Sequence, residues 1–283
     1  MNFIRKVNSI IPTYRKHGLD GLIFALLKNL KLNTKFVSII DKKKNEIEKK
    51  IIKISNKTIL GGLYKSTKLT CQTHWQGFDI SSKLLGLYEE QVQNKIVYLK
   101  KKFGLEYLIN FGSGDGYHLV GLIKNDYFKK GLAFEINEYG RKQIEENLKI
   151  NNLKQKVGIF KEANFDEIKN EINSEQLKKA LYLVDIEGGE FELFDEKNID
   201  AFRNSYLIIE NHDFLSDQNK VNKFLNLMDK YFHLEILNNG TRNPFLIPEI
   251  KDLDDDERWL IVSEGRKRSM NWFIFTPKDL QNV

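Results

Sequence analysis

The sequence predicts a doubly wound α/β domain with a seven-stranded sheet whose last strand runs antiparallel, preceded by a mostly helical N-terminal extension. Three observations lead there. From Tyr107 onward, short apolar runs alternate with segments of helical periodicity, the pattern of a sheet with helices on both faces. A glycine-rich turn directly follows the first of those runs. Before that point the chain lacks strand-like runs and carries a different charge balance. At 283 residues it exceeds the usual single-domain size, which suits one main domain over 82–283 and an extension over 1–81.

In the extension, Leu19, Leu22, Ile23, Leu26, Leu27 and Leu30 repeat at helical spacing and predict an amphipathic helix flanked by lysines. Residues 41–54 read as a second, highly charged helix. Residues 59–79 are irregular, punctuated by Gly61-Gly62, with His74-Trp75 unusual for a loop. A further helix is expected over Ser82–Lys101, capped by its serine and stopped at Gly104.

The strands follow in order: Tyr107–Phe111, Gly131–Ile136, Val157–Phe160, Leu181–Asp185, Ser205–Glu210, His233–Leu237 and Asn271–Phe275. Helices are expected after the first turn through Lys124, over Glu138–Ile150, between the third and fourth strands, over Glu190–Asp195 and over Ser216–Tyr231. No periodic helix separates the last two strands, only the irregular stretch 238–270. That makes them an antiparallel pair with a long insertion.

Charge separates the two regions. Residues 1–57 hold fourteen Lys/Arg against four Asp/Glu, and the remaining 226 hold 31 against 35, so a net +6 conceals +10 and −4. A basic arm suits a polyanionic surface, and peripheral contact with an anionic membrane is one expectation for it. Docking of its apolar stripe on the main domain is the other. Nucleic acid, the other polyanion such an arm could meet, is the less expected partner. Cys71, the single cysteine, excludes a disulfide framework and a cysteine-built zinc site. No apolar run approaches the ~18 residues of a membrane span, and none resembles a signal peptide. A cytoplasmic protein, peripheral to the membrane at most, is expected.

The first turn reads Asn110-Phe111-Gly112-Ser113-Gly114-Asp115-Gly116. Alternate glycines let the backbone curl beneath a ligand. A dinucleotide fingerprint needs its third glycine three residues after the second. Here that position is Tyr117, and Gly116 comes one residue early. The spacing suits S-adenosylmethionine, which has no pyrophosphate, better than NAD. Glu135 ends the second strand 23 residues after Gly112, where a carboxylate can accept both ribose hydroxyls. Ala163-Asn164, past the third strand, is placed to read an adenine amino group. Asn110, Gly112, Ser113, Gly114, Gly116, Glu135, Ala163, Asn164 and Asp185 form the expected cofactor set.

The chain resembles class I S-adenosylmethionine-dependent methyltransferases, and within them the FkbM type. The resemblance spans roughly residues 84–275. It rests on LLGLYEEQV, INFGSGDGYH, AFEIN, LVDIEGGEFELF and LIIENHDF, of which VDIEGGE is the most specific. It implies the class I methyltransferase sheet and O-methylation of a sugar hydroxyl in a glycan or glycosylated metabolite. Alternatives are methyl transfer to a protein or other small molecule, or a non-catalytic cofactor-binding module. The family usually has Asp at the head of the glycine loop where this chain has Asn110, which lowers the expected cofactor affinity.

Methyl transfer is an in-line displacement, so the protein must align the acceptor and take its proton. Asp185, Glu187, Glu210 and His212 cluster at the ends of the fourth and fifth strands and are the expected catalytic residues, with His212 as base. Asp185 would orient cofactor or acceptor, and Glu187 would fix the Gly188-Gly189 turn. Asp185, Glu210 and Asn211 also offer an all-oxygen set suited to magnesium, so a divalent metal is a further, less favoured expectation. The (Asn/Asp)-Pro-Pro-aromatic motif of many nitrogen methyltransferases is absent. Four of the eight arginines fall within 27 residues of the 238–270 insertion. Arg242, Asn243, Arg258, Trp259, Arg266 and Arg268 are therefore the expected acceptor contacts, able to stack on a sugar or hold an anionic group. A salt-bridged lid without acceptor contact is the competing reading.

Overall fold

The computed structural model describes residues 39–72, 79–163, 165–264, 266 and 268–278. The stripe Leu19 to Leu30, His74-Trp75 and Asn164 lie outside the described residues. The chain packs as two compact units, Met1–Glu46 and Ile47–Val283. The second unit holds the sheet, and its core takes in Ile47, Ile51, Ile59 and Tyr64 from the segment that the sequence assigns to the extension. Among the described residues, no helix is long and apolar enough to cross a membrane.

The expected seven strands are present: β1 (Tyr107–Phe111), β2 (Lys130–Phe134), β3 (Val157–Phe160), β4 (Ala180–Val184), β5 (Tyr206–Glu210), β6 (Phe232–Asn238) and β7 (Asn271–Pro277). Their order is β3-β2-β1-β4-β5-β7-β6, with β7 antiparallel to both β5 and β6. This is the strand order, with an antiparallel last strand, that the resemblance implies. The first five strands are parallel, and strand order reverses between β1 and β4. Alternate side chains feed two cores: Leu108, Leu181 and Ile208 pack on one face, Ile109, Tyr182 and Ile209 on the other. Register then decides where the chemistry sits. Phe111 pairs with Phe134 and Val184, and Val184 pairs with Ile209. The next residue on each strand, Gly112, Glu135, Asp185 and Glu210, therefore falls along one carboxyl edge of the sheet.

The α-helices among the described residues are α1 (Ile39–Ser55), α2 (Ile80–Leu85), α3 (Glu90–Phe103), α4 (Tyr117–Lys124) and α5 (Glu138–Ile150), then α6 (Phe165–Glu171), α7 (Ser174–Leu177), α8 (Glu190–Leu193), α9 (Gln218–Asp229) and α10 (Asp255–Val262). Two expectations are corrected. The single helix over 82–101 is broken at Gly86, whose φ is +77° and whose missing Cβ would lie 2.1 Å from the Gly61 carbonyl oxygen. Only glycine closes that approach. The insertion 238–270 is not wholly irregular. Its α10 starts at Asp254, whose side chain accepts the Glu257 N–H.

Candidate active site at the carboxyl edge of the sheet

A cavity of about 800 Å³ opens along that edge, lined by residues that follow β1, β2, β3, β4 and β5 and by part of the insertion. Its floor begins at Gly112. Gly112 has φ +73°, and a Cβ there would lie 1.6 Å from the Asp185 carbonyl oxygen. Its N–H and that of Ser113 both donate to Phe134 O, and Asp185 N donates to Phe111 O, so the turn is pinned to the neighbouring strands. Asn110 is buried and donates through Nδ2 to Leu183 O at 3.2 Å; its amide ties β1 to β4. Ser113 Oγ donates to Asn110 O.

Glu135 is buried at one side of the cavity. Its Oε2 accepts the Gly114 N–H at 2.7 Å and its Oε1 the Asn137 N–H at 2.8 Å. Each oxygen keeps acceptor capacity for a ligand. Of the expected cofactor set, Gly112, Glu135, Ala163 and Asp185 line the cavity, whereas Asn110, Ser113, Gly114 and Gly116 build the turn behind it. Tyr117, at the position where a dinucleotide fold needs glycine, is buried against Tyr64 and Tyr88.

Asp185, Glu187, Glu210 and His212 converge on the opposite side. His212 is 2% exposed. Its Nδ1 faces Glu190 Oε1 at 3.1 Å, and its Nε2 lies 3.5 Å from Glu210 Oε2, 3.6 Å from Glu187 Oε2 and 3.7 Å from Asp185 Oδ1. Burial, followed by the neighbouring Glu210 carboxyl, pushes Asp185 well above the usual carboxylate range. Burial and then Glu89 raise Glu210 as well, against the pull of Arg266. For His212, burial disfavours the imidazolium, but the Glu190 hydrogen bond and the surrounding carboxylates outweigh it and its pKa rises.

Glu187 does not fix the diglycine turn. Glu190 does, accepting the Gly188 N–H at 2.9 Å, while Glu187 stands 80% exposed in a left-handed conformation with φ +53°. Asn211 turns away from the cluster: its Oδ1 accepts from Asp213 N and its Nδ2 donates to Asn271 Oδ1. The oxygen set Asp185, Glu210 and Asn211 is thus not assembled. Asp185, Glu187 and His212 are brought together instead.

The arginines behave differently from expectation. Only Arg266 lines the cavity, and it spans three buried carboxylates, Glu89, Glu210 and Glu264. Arg242 is paired to Glu264 at 2.5 Å. Arg258 donates to Lys251 O and sits over the Phe245 ring, beside Trp259. Asn243 caps Phe245, and Arg268 stacks on Phe214, itself a cavity residue. Arg242, Asn243, Arg258, Trp259 and Arg268 do not line the cavity.

Several site residues were outside the sequence expectation. Glu89, with φ +49°, holds His118 Nε2 at 2.7 Å, and His118 Nδ1 meets the Tyr64 hydroxyl at 2.9 Å. Lys83 is buried between Asp79 and Asp115, 2.8 Å from each, and fastens α2 to the glycine turn. Asp79, Tyr88, Glu264 and Met270 complete the wall. Gly86, which ends α2 two residues before Tyr88, was the legible signal for this corner.

No protein-family model matches the chain, and no curated protein does, so the FkbM resemblance rests on the motifs alone. Solved structures with a similar course include the O-methyltransferase from Bacillus cereus in complex with SAH, at 11% identity and TM-score 0.45 over 82% of this chain and 91% of that one. TrmK of M. capricolum, in complex with S-adenosyl-homocysteine, gives 14% and 0.42 over 66% and 68%. The tRNA (m1A58) methyltransferase TrmI of Aquifex aeolicus gives 18% and 0.41 over 64% and 67%. Similarity at this level assigns neither an acceptor nor a residue role.

Proposed function

We propose that the protein is an S-adenosylmethionine-dependent methyltransferase acting on a neutral hydroxyl, a sugar hydroxyl of a glycan or glycosylated metabolite. The observation that carries this reading is one cavity with two unlike walls. The first wall joins Gly112, Glu135 and Ala163; the second joins Asp185, Glu187, Glu210 and His212. The residues present fit the cofactor. Gly112 leaves the turn without a side chain where a Cβ has no room, and Glu135 keeps an acceptor site on each oxygen. Gly112, Glu135 and Ala163 would hold the nucleoside.

When bound, S-adenosylmethionine supplies an electrophilic methyl group on a positively charged sulfur. The lining has seven acids, from Asp79 to Glu264, against Lys161, Arg266 and His212, a balance that favours a cation. The same excess disfavours a phosphate or carboxylate on the acceptor and supports a neutral hydroxyl. Glu190 fixes the imidazole of His212 so that Nε2 faces the acid cluster. That cluster is the part of the chain able to hold and relay an acceptor proton.

The test is mass spectrometry of cellular glycans with and without the protein, looking for a one-methyl gain. Asp185→Asn and His212→Gln should abolish the gain while cofactor binding persists. Binding without any glycan change would move the acceptor to a protein or another small molecule. Full turnover in both variants would remove the proposed roles.

A further inference from the structure

His212 is built more firmly than proton transfer alone requires. Glu190, wholly buried, accepts both the backbone N–H of His212 and, at 3.1 Å, its Nδ1–H, while its other oxygen takes the Gly188 N–H. Nδ1 therefore carries a proton in either charge state, and in the neutral ring Nε2 holds the lone pair, which a metal ion would take in place of a second proton. That lone pair belongs to a side chain 2% exposed and makes no hydrogen bond: its three nearest carboxylate oxygens stand at 3.5, 3.6 and 3.7 Å. Asp185 Oδ1, one of the three, is itself buried without a hydrogen-bond partner. Arg266 does not fill the gap, because it engages Glu210 through Oε1 while Oε2 faces His212.

Those separations exceed hydrogen bonds and stand a little above the edges of a ligand polyhedron, so the side chains would close in by a few tenths of an ångström on an ion. Ligand atoms bound at ~2.1 Å lie about 3.0 Å apart in an octahedron and about 3.4 Å apart in a tetrahedron, and more around a larger ion. Ligand atoms of Asp185, Glu187 and His212 all fall within 4.8 Å of one another. The Glu190–His212 contact is the outer-shell carboxylate that orients metal-binding histidines.

We propose that this cluster binds one divalent transition-metal ion through His212 Nε2, Asp185 and Glu187, with Glu210 alongside. An imidazole nitrogen among carboxylates favours a first-row transition ion over magnesium, which takes oxygen ligands, and Mn²⁺ serves as its paramagnetic probe. The site stands apart from the methyl-transfer reading. Its use in catalysis rests on that reading: an acceptor hydroxyl that completes the coordination is acidified by the ion, and its proton passes to solvent. His212 is then a ligand and not the base.

The experiment is titration of the metal-stripped full chain with Mn²⁺, followed by electron paramagnetic resonance. The expected result is one saturable site per chain with nitrogen coupling from an imidazole. Glu187→Gln, at an 80% exposed side chain, keeps the fold and should weaken binding about tenfold or more, and His212→Gln should erase the nitrogen coupling. If His212→Gln fails to fold by circular dichroism, the wild-type coupling and Glu187→Gln decide. No saturation at millimolar Mn²⁺, no nitrogen coupling, or unchanged affinity in Glu187→Gln would overturn the site. Calorimetry with S-adenosylmethionine on the same metal-free protein separates the two ideas. Cofactor binding without Mn²⁺ binding sinks the metal alone, and the reverse sinks methyl transfer.

Discussion

Replacing Glu135 with alanine tests the cofactor wall at its most defined point. In the free protein the carboxylate satisfies two backbone donors, Gly114 N at 2.7 Å and Asn137 N at 2.8 Å. Hydrogen bonds to a charged acceptor are worth roughly 1.5–3 kcal/mol each, but both donors border an open cavity and can be rehydrated. The expected loss of stability is therefore about 2–3 kcal/mol, near the lower end of the pair. Cofactor binding additionally loses two ribose hydroxyl contacts, about 1–3 kcal/mol together, or about 5- to 150-fold in Kd. Urea denaturation gives the first quantity and calorimetry with S-adenosylhomocysteine the second. Glu135→Gln serves as the isosteric control, keeping one acceptor oxygen and losing the charge. A folded Glu135→Ala protein with wild-type Kd would refute the ribose role.

Gly112→Ala puts a methyl 1.6 Å from the Asp185 carbonyl oxygen in a left-handed residue, and should cut both thermal stability and cofactor affinity, measured on one sample by melting and calorimetry. Burial pushes the Cys71 thiol up to about 12 from 9.0; the scarcer thiolate, partly offset by its higher nucleophilicity, should react with a disulfide reagent near pH 8 about 30- to 60-fold slower than a free cysteine. For Glu89, burial works against the charge, but His118 and Arg266 prevail and hold its pKa below the ordinary value. Its stabilisation is therefore complete above about pH 4.3, the unfolded value, and disappears as pH falls through the depressed one. Denaturation midpoints followed from neutral to acid pH should fall more steeply for wild type than for Glu89→Gln.

The sheet was legible because the parallel strands, all but the edge strand β3 buried on both faces, leave continuous apolar runs between turn signals. The alignment of Gly112, Glu135, Asp185 and Glu210 followed from strand ends alone. What local pattern hid was partnership. Arg266 and Arg242 looked like acceptor contacts, yet their guanidinium groups are spent on Glu264, in the same stretch of chain, and for Arg266 also on Glu89 and Glu210, far away in sequence. Glu187 looked like the residue that fixes the diglycine turn, and only the fold shows that the buried Glu190 does so while Glu187 stands exposed. Two misses had local signals: Gly86 inside an expected helix, and Asp254 three residues before Glu257 at the start of α10.

Calorimetry of the full chain with S-adenosylmethionine and with NAD is the most direct test of the whole account. The turn ends one residue too soon for a pyrophosphate, and Tyr117 fills the position a dinucleotide would need. Single-site binding of S-adenosylmethionine, weakened in Glu135→Ala, and no heat with NAD are the expected results. Tight NAD binding with no response to S-adenosylmethionine would contradict them.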